Sequence, residues 1–453
     1  MSTATPSRTT GLDMLDPKGL TRKLIIFVLP VLACGIVQQS FNAVDIAVVG
    51  KYVGPQALAA VGANGPVIGL IVNLFMGLSL GANVVIANFI GQRNSDGVRR
   101  AVATSAAIAL ICGIGMTAIG LAIAKPILGL LDTPEAVIDK ATEYLMIISL
   151  GFPGMMILNF GSAILRSIGD TKRPFYCLVI GGIVNVTLNL VFVLVFGMNV
   201  EGVAIATSIS SYVSAACIVY ILIKEKSDIK LECRQIKICS NELGKIIRIG
   251  LPAGIQGMVF AFSNVFIQSG INSFGPDTVS GSAAALTYEF YCYFVIVAFT
   301  QATIAFIGQN YGARQYFMCR RVFNRCMILS VLTCGLLNVL IVAFHSQAIA
   351  IFTDDSNVAA HAATRICGVL VFQFLACSYE ISGGALRALG YSVMPMIITI
   401  LGTCVLRIAW CSMKFWDSFA ELLVIYPVTW CMTGVAMIIA YYVISRKVLK
   451  LNA

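Results

Sequence analysis

Charge is what this sequence has least of. Of its 453 residues only 11% are Asp, Glu, Lys or Arg, where a soluble chain carries about a quarter, so it cannot dress a water-facing surface. Histidine is nearly missing. His345 and His361 are the only two; near Asp354 and Asp355 they lack zinc-site spacing and read as solvated loop residues. No GxxxxGK(S/T) run is present to cradle a nucleotide phosphate, which excludes ATP as a driving force. No Ser, His and Asp fall together at one depth, so no hydrolase triad is available and the chain is not read as an enzyme. Alternation with period two over ten-residue blocks is also missing, which argues against an outer-membrane barrel. Met1–Gly19 is polar and carries no short apolar core with a cleavage site, so the first apolar run is expected to direct insertion itself.

What is present is apolar length. Hydrophobic residues make up 58% of the chain. The runs Leu24–Val49, Leu58–Ala87, Ala101–Ala124 and Tyr176–Val195 each reach the roughly 20 residues that a spanning helix needs. Hydrocarbon offers backbone groups no partners, so these runs must be helices. The fold class is therefore all-α and polytopic, with twelve transmembrane helices. The fifteen cysteines lie mostly inside apolar runs and read as reduced packing residues rather than a disulfide or metal framework. Charge distribution sets the orientation. Counted from a cytoplasmic N-terminus, 25 of the 31 Lys and Arg, Arg387 among them, fall on inside segments. Lys51, Lys125, Lys140, Arg365 and Lys414 fall outside, and Arg407 lies within a span. The positive-inside rule then puts both termini in the cytoplasm of a bacterial plasma (inner) membrane. The net charge of +10 is a topology signal, with no nucleic-acid partner implied.

The chain repeats itself. Phe89-Ile90-Gly91-Gln92 recurs as Phe306-Ile307-Gly308-Gln309, 217 residues on. Leu165-Arg166-Ser167-Ile168-Gly169 recurs as Leu386-Arg387-Ala388-Leu389-Gly390, an offset of 221, and Leu29-Pro30 as Leu251-Pro252, an offset of 222. The organisation read from this is a cytoplasmic tail (1–19), a six-helix lobe (20–223), a charged cytoplasmic linker (224–244), a second six-helix lobe (245–447) and a short tail (448–453). An even number of spans per copy makes the two homologous bundles parallel, related by a pseudo-twofold along the membrane normal. That architecture suits alternating access, with Pro30, Gly35, Pro153 and Pro252 as hinge or close-packing points.

Polar groups inside the spans are the functional candidates, since a charge at bilayer depth costs on the order of 3 kcal/mol. Gln38, Asn42 and Asp45 share one helix face at i, i+4, i+7 spacing. Asn185 and Asn189 stand i, i+4 in the fifth span, with Thr207 early in the sixth. A carboxylate with amides and a hydroxyl supplies hard oxygen ligands for Na⁺, or a group able to share a proton. Burial favours the neutral form of a carboxyl, which suits Asp45 to the second role. The other half carries Glu289, Glu380 and Arg407, with Gln256 and Tyr293 in neighbouring spans. Two readings stand for this set: Glu380–Arg407 as a structural ion pair, and Glu289 with nearby tyrosines as the seat of an organic cation. Glu380 is the repeat counterpart of Asn159, and Asp45 maps to Ile267. The halves thus share architecture but not charged residues, which suggests that one serves the coupling ion and the other the substrate.

With these features in hand, the chain resembles the multidrug and toxic compound extrusion (MATE) family, in its bacterial DinF-like branch, over about residues 15–447. The resemblance is carried by Asn42-Ala43-Val44-Asp45 through Val49-Gly50, Ala59-Ala60-Val61-Gly62, the paired FIGQ turns, Leu165 through Lys172, Gly202 through Thr207, and Ser382 through Arg387. It implies an antiporter that exports amphipathic, often cationic drugs in exchange for H⁺ or Na⁺, without another cofactor and as a monomer in the bilayer. The family's first-lobe site has an Asp, Asn, Asp and Thr; Asp45, Asn185 and Thr207 match, and Asn189 stands where many relatives carry Asp. That departure bears on Na⁺ coordination at Asp45 more than on proton coupling. The alternatives are an exporter of a lipid-linked or metabolite substrate in the same superfamily and, from another class, a non-transporting membrane sensor or enzyme.

The topology has a direct test. A membrane-impermeant thiol reagent applied to intact cells is expected to miss Cys233 and Cys239 and to tag Ser356→Cys in a background cleared of other reactive thiols. The opposite labelling pattern overturns the orientation.

Overall fold

The computed structural model describes residues 13–130, 135–414 and 416–448; most of the two expected tails lies outside the described residues. Eleven helices are long and apolar enough to cross a membrane, and a bent pair makes a twelfth span. In chain order the spans are Leu20–Val53, Gln56–Gly91, Ser95–Gly129, the pair Val137–Ser149 and Phe152–Ser167, Lys172–Val195 and Val200–Lys224. The second set is Ser240–Asn272, Pro276–Gly312, Tyr316–Ala343, Ser356–Ala388, Val393–Met413 and Phe419–Val448. The all-α, twelve-span reading therefore holds.

Helix breaks have local causes. The fourth span bends by 46° between Ser149 and Phe152, where Pro153 follows and supplies no N–H to continue the ladder. The third span packs against this break: a Cβ on Gly113 would meet the Cα of Pro153 at 2.5 Å. Pro30 and Pro252, by contrast, sit inside continuous helices. Three spans contain a π-helical segment: Val49–Val53, Val191–Val195 and Ile400–Val405. Each lies within about one turn of a candidate residue, namely Asp45, Asn189 and Arg407. An extra residue in the turn re-aims the side chains beside it, which is why such bulges gather at functional sites.

The backbone repeats as the sequence does. Among the described residues, six of the nine with positive φ form pairs 221 apart: Gly54 (115°) with Gly275 (97°), Arg93 (56°) with Arg314 (59°), and Gly169 (84°) with Gly390 (91°). Gly54 and Gly275 each precede a proline that opens a long helix, so glycine is required where φ is left-handed and proline where the first N–H has no partner. These pairs correct one landmark. The helix ending at Gly91 corresponds to the one ending at Gly312, so the FIGQ match at 217 is displaced by four residues. Four residues are close to one helical turn, and the displaced copy keeps nearly the same face.

By packing, the chain divides into two compact units, one holding Ala33–Gly254 and the other Met14–Leu32 with the chain from Ile255 onward. Within the second unit, Asn310 Nδ2 donates to the Met14 carbonyl at 3.0 Å and Phe27 meets Phe306 edge-on. These contacts explain why the opening turns of the first span belong there. Asp16 is anchored by the Lys18 amide and the Lys23 ammonium, which hold its carboxyl below its usual range. Within the first unit the linker is tied down by Arg100–Glu242 (2.9 Å) and Arg173–Glu225 (2.6 Å).

Two small-residue pairs let backbones of the first unit touch. Gly77 and Gly81 on the second span face Gly250 and Gly254 on the seventh; a Cβ at Gly77 would lie 2.2 Å from the Gly254 nitrogen and one at Gly254 would lie 2.0 Å from the Leu74 carbonyl oxygen. Such close approach is how helices associate in lipid, where no hydrophobic effect drives them together. Gly77→Ala is expected to cost about 1–3 kcal/mol through overpacking, read as a lowered unfolding temperature in detergent. Gly115→Ala, with nothing within 4 Å of its would-be Cβ, is the control and is expected to leave the temperature unchanged.

Candidate functional site

The first unit contains a cavity of about 510 Å³ lined by residues of the first, second, fourth, fifth and sixth spans, among them Gln38, Asn42, Asp45, Arg166, Asn185 and Thr207. A hydrogen-bond chain runs along its wall. Asn189, fully buried, donates through Nδ2 to Asp45 Oδ1 and to Asn185 Oδ1, the latter at 3.4 Å. Asn185 Nδ2 donates to Thr207 Oγ1 at 3.2 Å, and the Thr207 hydroxyl donates to the Val203 carbonyl at 2.9 Å. The structure thus brings together the four residues nominated from the first and later spans. Gln38 and Asn42 line the same cavity one and two turns before Asp45. The spacing of the polar face predicted this, and helix geometry delivers it.

Arg166 was not nominated. It lines the cavity with Nε unbonded, although the sequence reading assigned it to an inside loop. Its i+4 distance from Ser162, another lining residue, was the available signal.

The second unit holds a smaller cavity of about 270 Å³, walled by the aromatic residues Phe260, Phe290, Tyr293, Tyr426 and Trp430. Here two readings need correction. Arg365, counted as an outside loop residue, is only 2% exposed. Asp355 caps the helix at Ser356 by accepting from the amides of Asn357 and Val358, so Arg365 is carried nine residues into the tenth span. It grips Glu289 through two bonds, Nε to Oε1 at 2.6 Å and Nη2 to Oε2 at 3.1 Å, and Nη1 donates to Ser282 Oγ at 2.6 Å. Glu289 therefore meets the cavity as half of an ion pair. Arg387, counted as a cytoplasmic residue, is also buried and donates to Gln256 Oε1 at 2.8 Å. Taking Arg166, Arg365 and Arg387 out of the loop tally leaves 23 inside against 4 outside, from 25 and 5, and the bias survives.

The Glu380–Arg407 ion pair is not formed. Glu380 accepts from the Tyr293 hydroxyl at 3.3 Å. Arg407, 1% exposed, donates through Nη1 to Asn264 Oδ1 at 3.1 Å. Its guanidinium carbon lies 4.5 Å from the Tyr426 ring centroid and 5.3 Å from that of Phe260. Nε and Nη2 are buried without a hydrogen-bond partner. Aromatic faces recover about 0.5–2 kcal/mol for such a cation, whereas a buried donor left unbonded costs about 1–3 kcal/mol or more. The stacking does not cover that cost. Among the described residues no group of three His, Cys, Asp or Glu could hold a metal ion, and all fifteen cysteines are free.

The buried ion pair makes an energetic prediction. Glu289→Gln is expected to lose about 3–5 kcal/mol, since it strands the Arg365 charge. Adding Arg365→Gln is expected to recover part of that loss. Chemical or thermal unfolding of the purified single and double variants checks it; equal or additive losses would contradict it.

Comparison with known proteins fits this geometry. The MatE family model matches residues 30–191 and again 252–413, two copies 222 residues apart, the offset at which Leu29-Pro30 recurs as Leu251-Pro252. The chain is 26% identical to the "Probable multidrug resistance protein YoeA" of Bacillus subtilis, over 84% of this chain and 83% of that one. It is 27% identical to the "Probable multidrug resistance protein NorM" of Thermotoga maritima, over 88% and 87%. Its fold superposes with a TM-score of 0.90 on an outward-facing multidrug resistance MATE family transporter of the MOP superfamily, at 23% identity, covering 98% of this chain and all of that one. A helical membrane chain with two internal copies of the family match is no enzyme: it belongs to the MatE family of transporters.

Proposed function

We propose that this protein is a secondary active antiporter that exports amphipathic small molecules by alternating access, coupled to a proton taken up at Asp45. The observation that carries the coupling half is the chain Asp45–Asn189–Asn185–Thr207, of which Asp45, Asn185 and Thr207 line a cavity of about 510 Å³. Family membership and relatives named for multidrug resistance support the export half. Among the described residues of that cavity wall Asp45 is the one carboxylate, so it is the group there whose charge changes.

The amide geometry favours H⁺ over Na⁺. Asn189 turns its NH₂, not its oxygen, towards Asp45, and it also occupies Asn185 Oδ1. A sodium ion needs several oxygen ligands at once, and Asn189 would have to turn over and release Asn185 Oδ1 to supply them. A proton needs only an acceptor beside it. The Asn189 Oδ1 is buried without a partner, so a half-turn of this amide would offer the protonated carboxyl that oxygen. The 23-to-4 charge bias supports both termini in the cytoplasm of a bacterial plasma membrane. The run Asn42–Asp45 supports the DinF-like branch, while the named relatives are of the NorM type; the family is stated and the branch proposed.

Asp45→Asn is expected to abolish gradient-driven dye efflux from everted vesicles between about pH 5.5 and 8.5, while the protein remains folded because an amide keeps the carboxyl's shape. Asn189→Asp, which adds an oxygen ligand and a charge, is expected to introduce Na⁺ dependence or move the pH optimum. Efflux at the wild-type rate and pH profile from Asp45→Asn would send the coupling role to Glu380 or Glu289.

A further inference from the structure

We infer that the second unit's cavity binds a flat aromatic compound carrying a negatively charged group, with Arg407 as the anion's partner. This rests on the exporter reading for its biological role but not for its test. Among the residues lining the cavity the charges are Glu289, Arg365 and Arg407. The first two neutralise each other through two hydrogen bonds, which leaves the guanidinium of Arg407 as the unbalanced charge.

That guanidinium is built for a ligand. It is buried, with its central carbon 4.5 Å from the Tyr426 ring centroid and 5.3 Å from that of Phe260, and it is pinned by Asn264. Nε and Nη2 remain unbonded, and these two donors lie on one edge of the planar fork, the edge that meets a carboxylate or phosphate with two parallel bonds. Tyr426 cannot take the place of an anion, because its hydroxyl is already within 3.5 Å of Arg365. Phe290, Tyr293, Tyr379 and Trp430 add four more aromatic rings to the lining. A cavity of about 270 Å³ sits at the small end of ligand sites, roughly 300–1,000 Å³, and suits one or two fused rings.

The repeat sharpens the contrast. In the first and seventh spans, where Leu29-Pro30 recurs as Leu251-Pro252 at an offset of 222, Asp45 corresponds to Ile267. Where one unit places a carboxylate, the other places an apolar side chain, so the charge of the second cavity comes from elsewhere in its wall. The organic cation expected at Glu289 is disfavoured by the same arithmetic, since it would have to displace Arg365 and would then face Arg407.

Equilibrium binding to the purified full chain in detergent tests this with three compounds sharing one ring system: 2-naphthoate, 2-naphthamide and 2-naphthylmethylammonium. Naphthoate is expected to bind at least about tenfold more tightly than either of the others, and acetate, an anion without a ring, to displace it poorly. Arg407→Gln is expected to remove the preference. Asn264→Asp, which supplies a carboxylate to Arg407 without removing the guanidinium, is expected to weaken naphthoate by a similar factor and guards against a misfolded Arg407→Gln. The readout is equilibrium binding in detergent with no ion gradient present, so loss of this site is read separately from loss of proton coupling. Equal or tighter binding of the ammonium compound, acetate competing as well as naphthoate, or unaltered naphthoate binding by folded Asn264→Asp overturns the inference.

Discussion

A charged side chain on a helix with lipid at its back must either be neutralised inside its own bundle or sit in a cavity that has a use for it. In this protein that constraint sorts the charged residues. Arg365 and Glu289 satisfy one another, with Ser282 taking up the remaining donor. Arg387 leans on Gln256, and Glu380 on Tyr293. Asp45 receives one amide and otherwise faces open space, and Arg407 is left with two donors unbonded. Those two, like Arg166 in the cavity of Asp45, are charges that the fold leaves unsatisfied at a cavity. Function is assigned to them for that reason.

The repeat explains how one architecture came to hold two unlike sites. Three pairs of positive-φ positions recur at a fixed offset of 221 because turns between spans need them whatever the side chains do. The cavity walls are under no such restraint. The π-helical segments add local freedom, since a turn with an extra residue can aim a neighbouring side chain without disturbing the rest of the span. Val49–Val53 and Val191–Val195 flank the Asp45–Asn189 contact, and Ile400–Val405 ends just before Arg407.

Span number, the twofold repeat and the polar face of the first span were legible in the sequence because each is a periodic property of apolarity or spacing. The first-unit cluster was legible too: Asp45, Asn185, Asn189 and Thr207 stand at helical intervals, and the resemblance to the MATE family pointed to the same residues. The partners of the second unit were not. Arg365 follows a stretch with Asp354, Asp355 and His361 that reads as a solvated loop, yet the Asp355 cap starts a helix there. Which of two glutamates meets which of three arginines depends on helix rotation and on π and 3₁₀ segments such as Leu370–Leu375, and no pattern of residue types encodes that. The FIGQ landmark failed for a related reason, because a slip of one helical turn preserves the face and so preserves the likeness.

The account stands on Asp45 as a proton carrier beside an amide, Asn189, that is turned the wrong way for a sodium ion. The most direct measurement is efflux of a fluorescent substrate from proteoliposomes of the purified protein, with the proton gradient and the Na⁺ gradient collapsed in separate experiments. Efflux should stop when the proton gradient is lost and continue when only the Na⁺ gradient is lost. Efflux that survives without a proton gradient and fails without Na⁺ would contradict it.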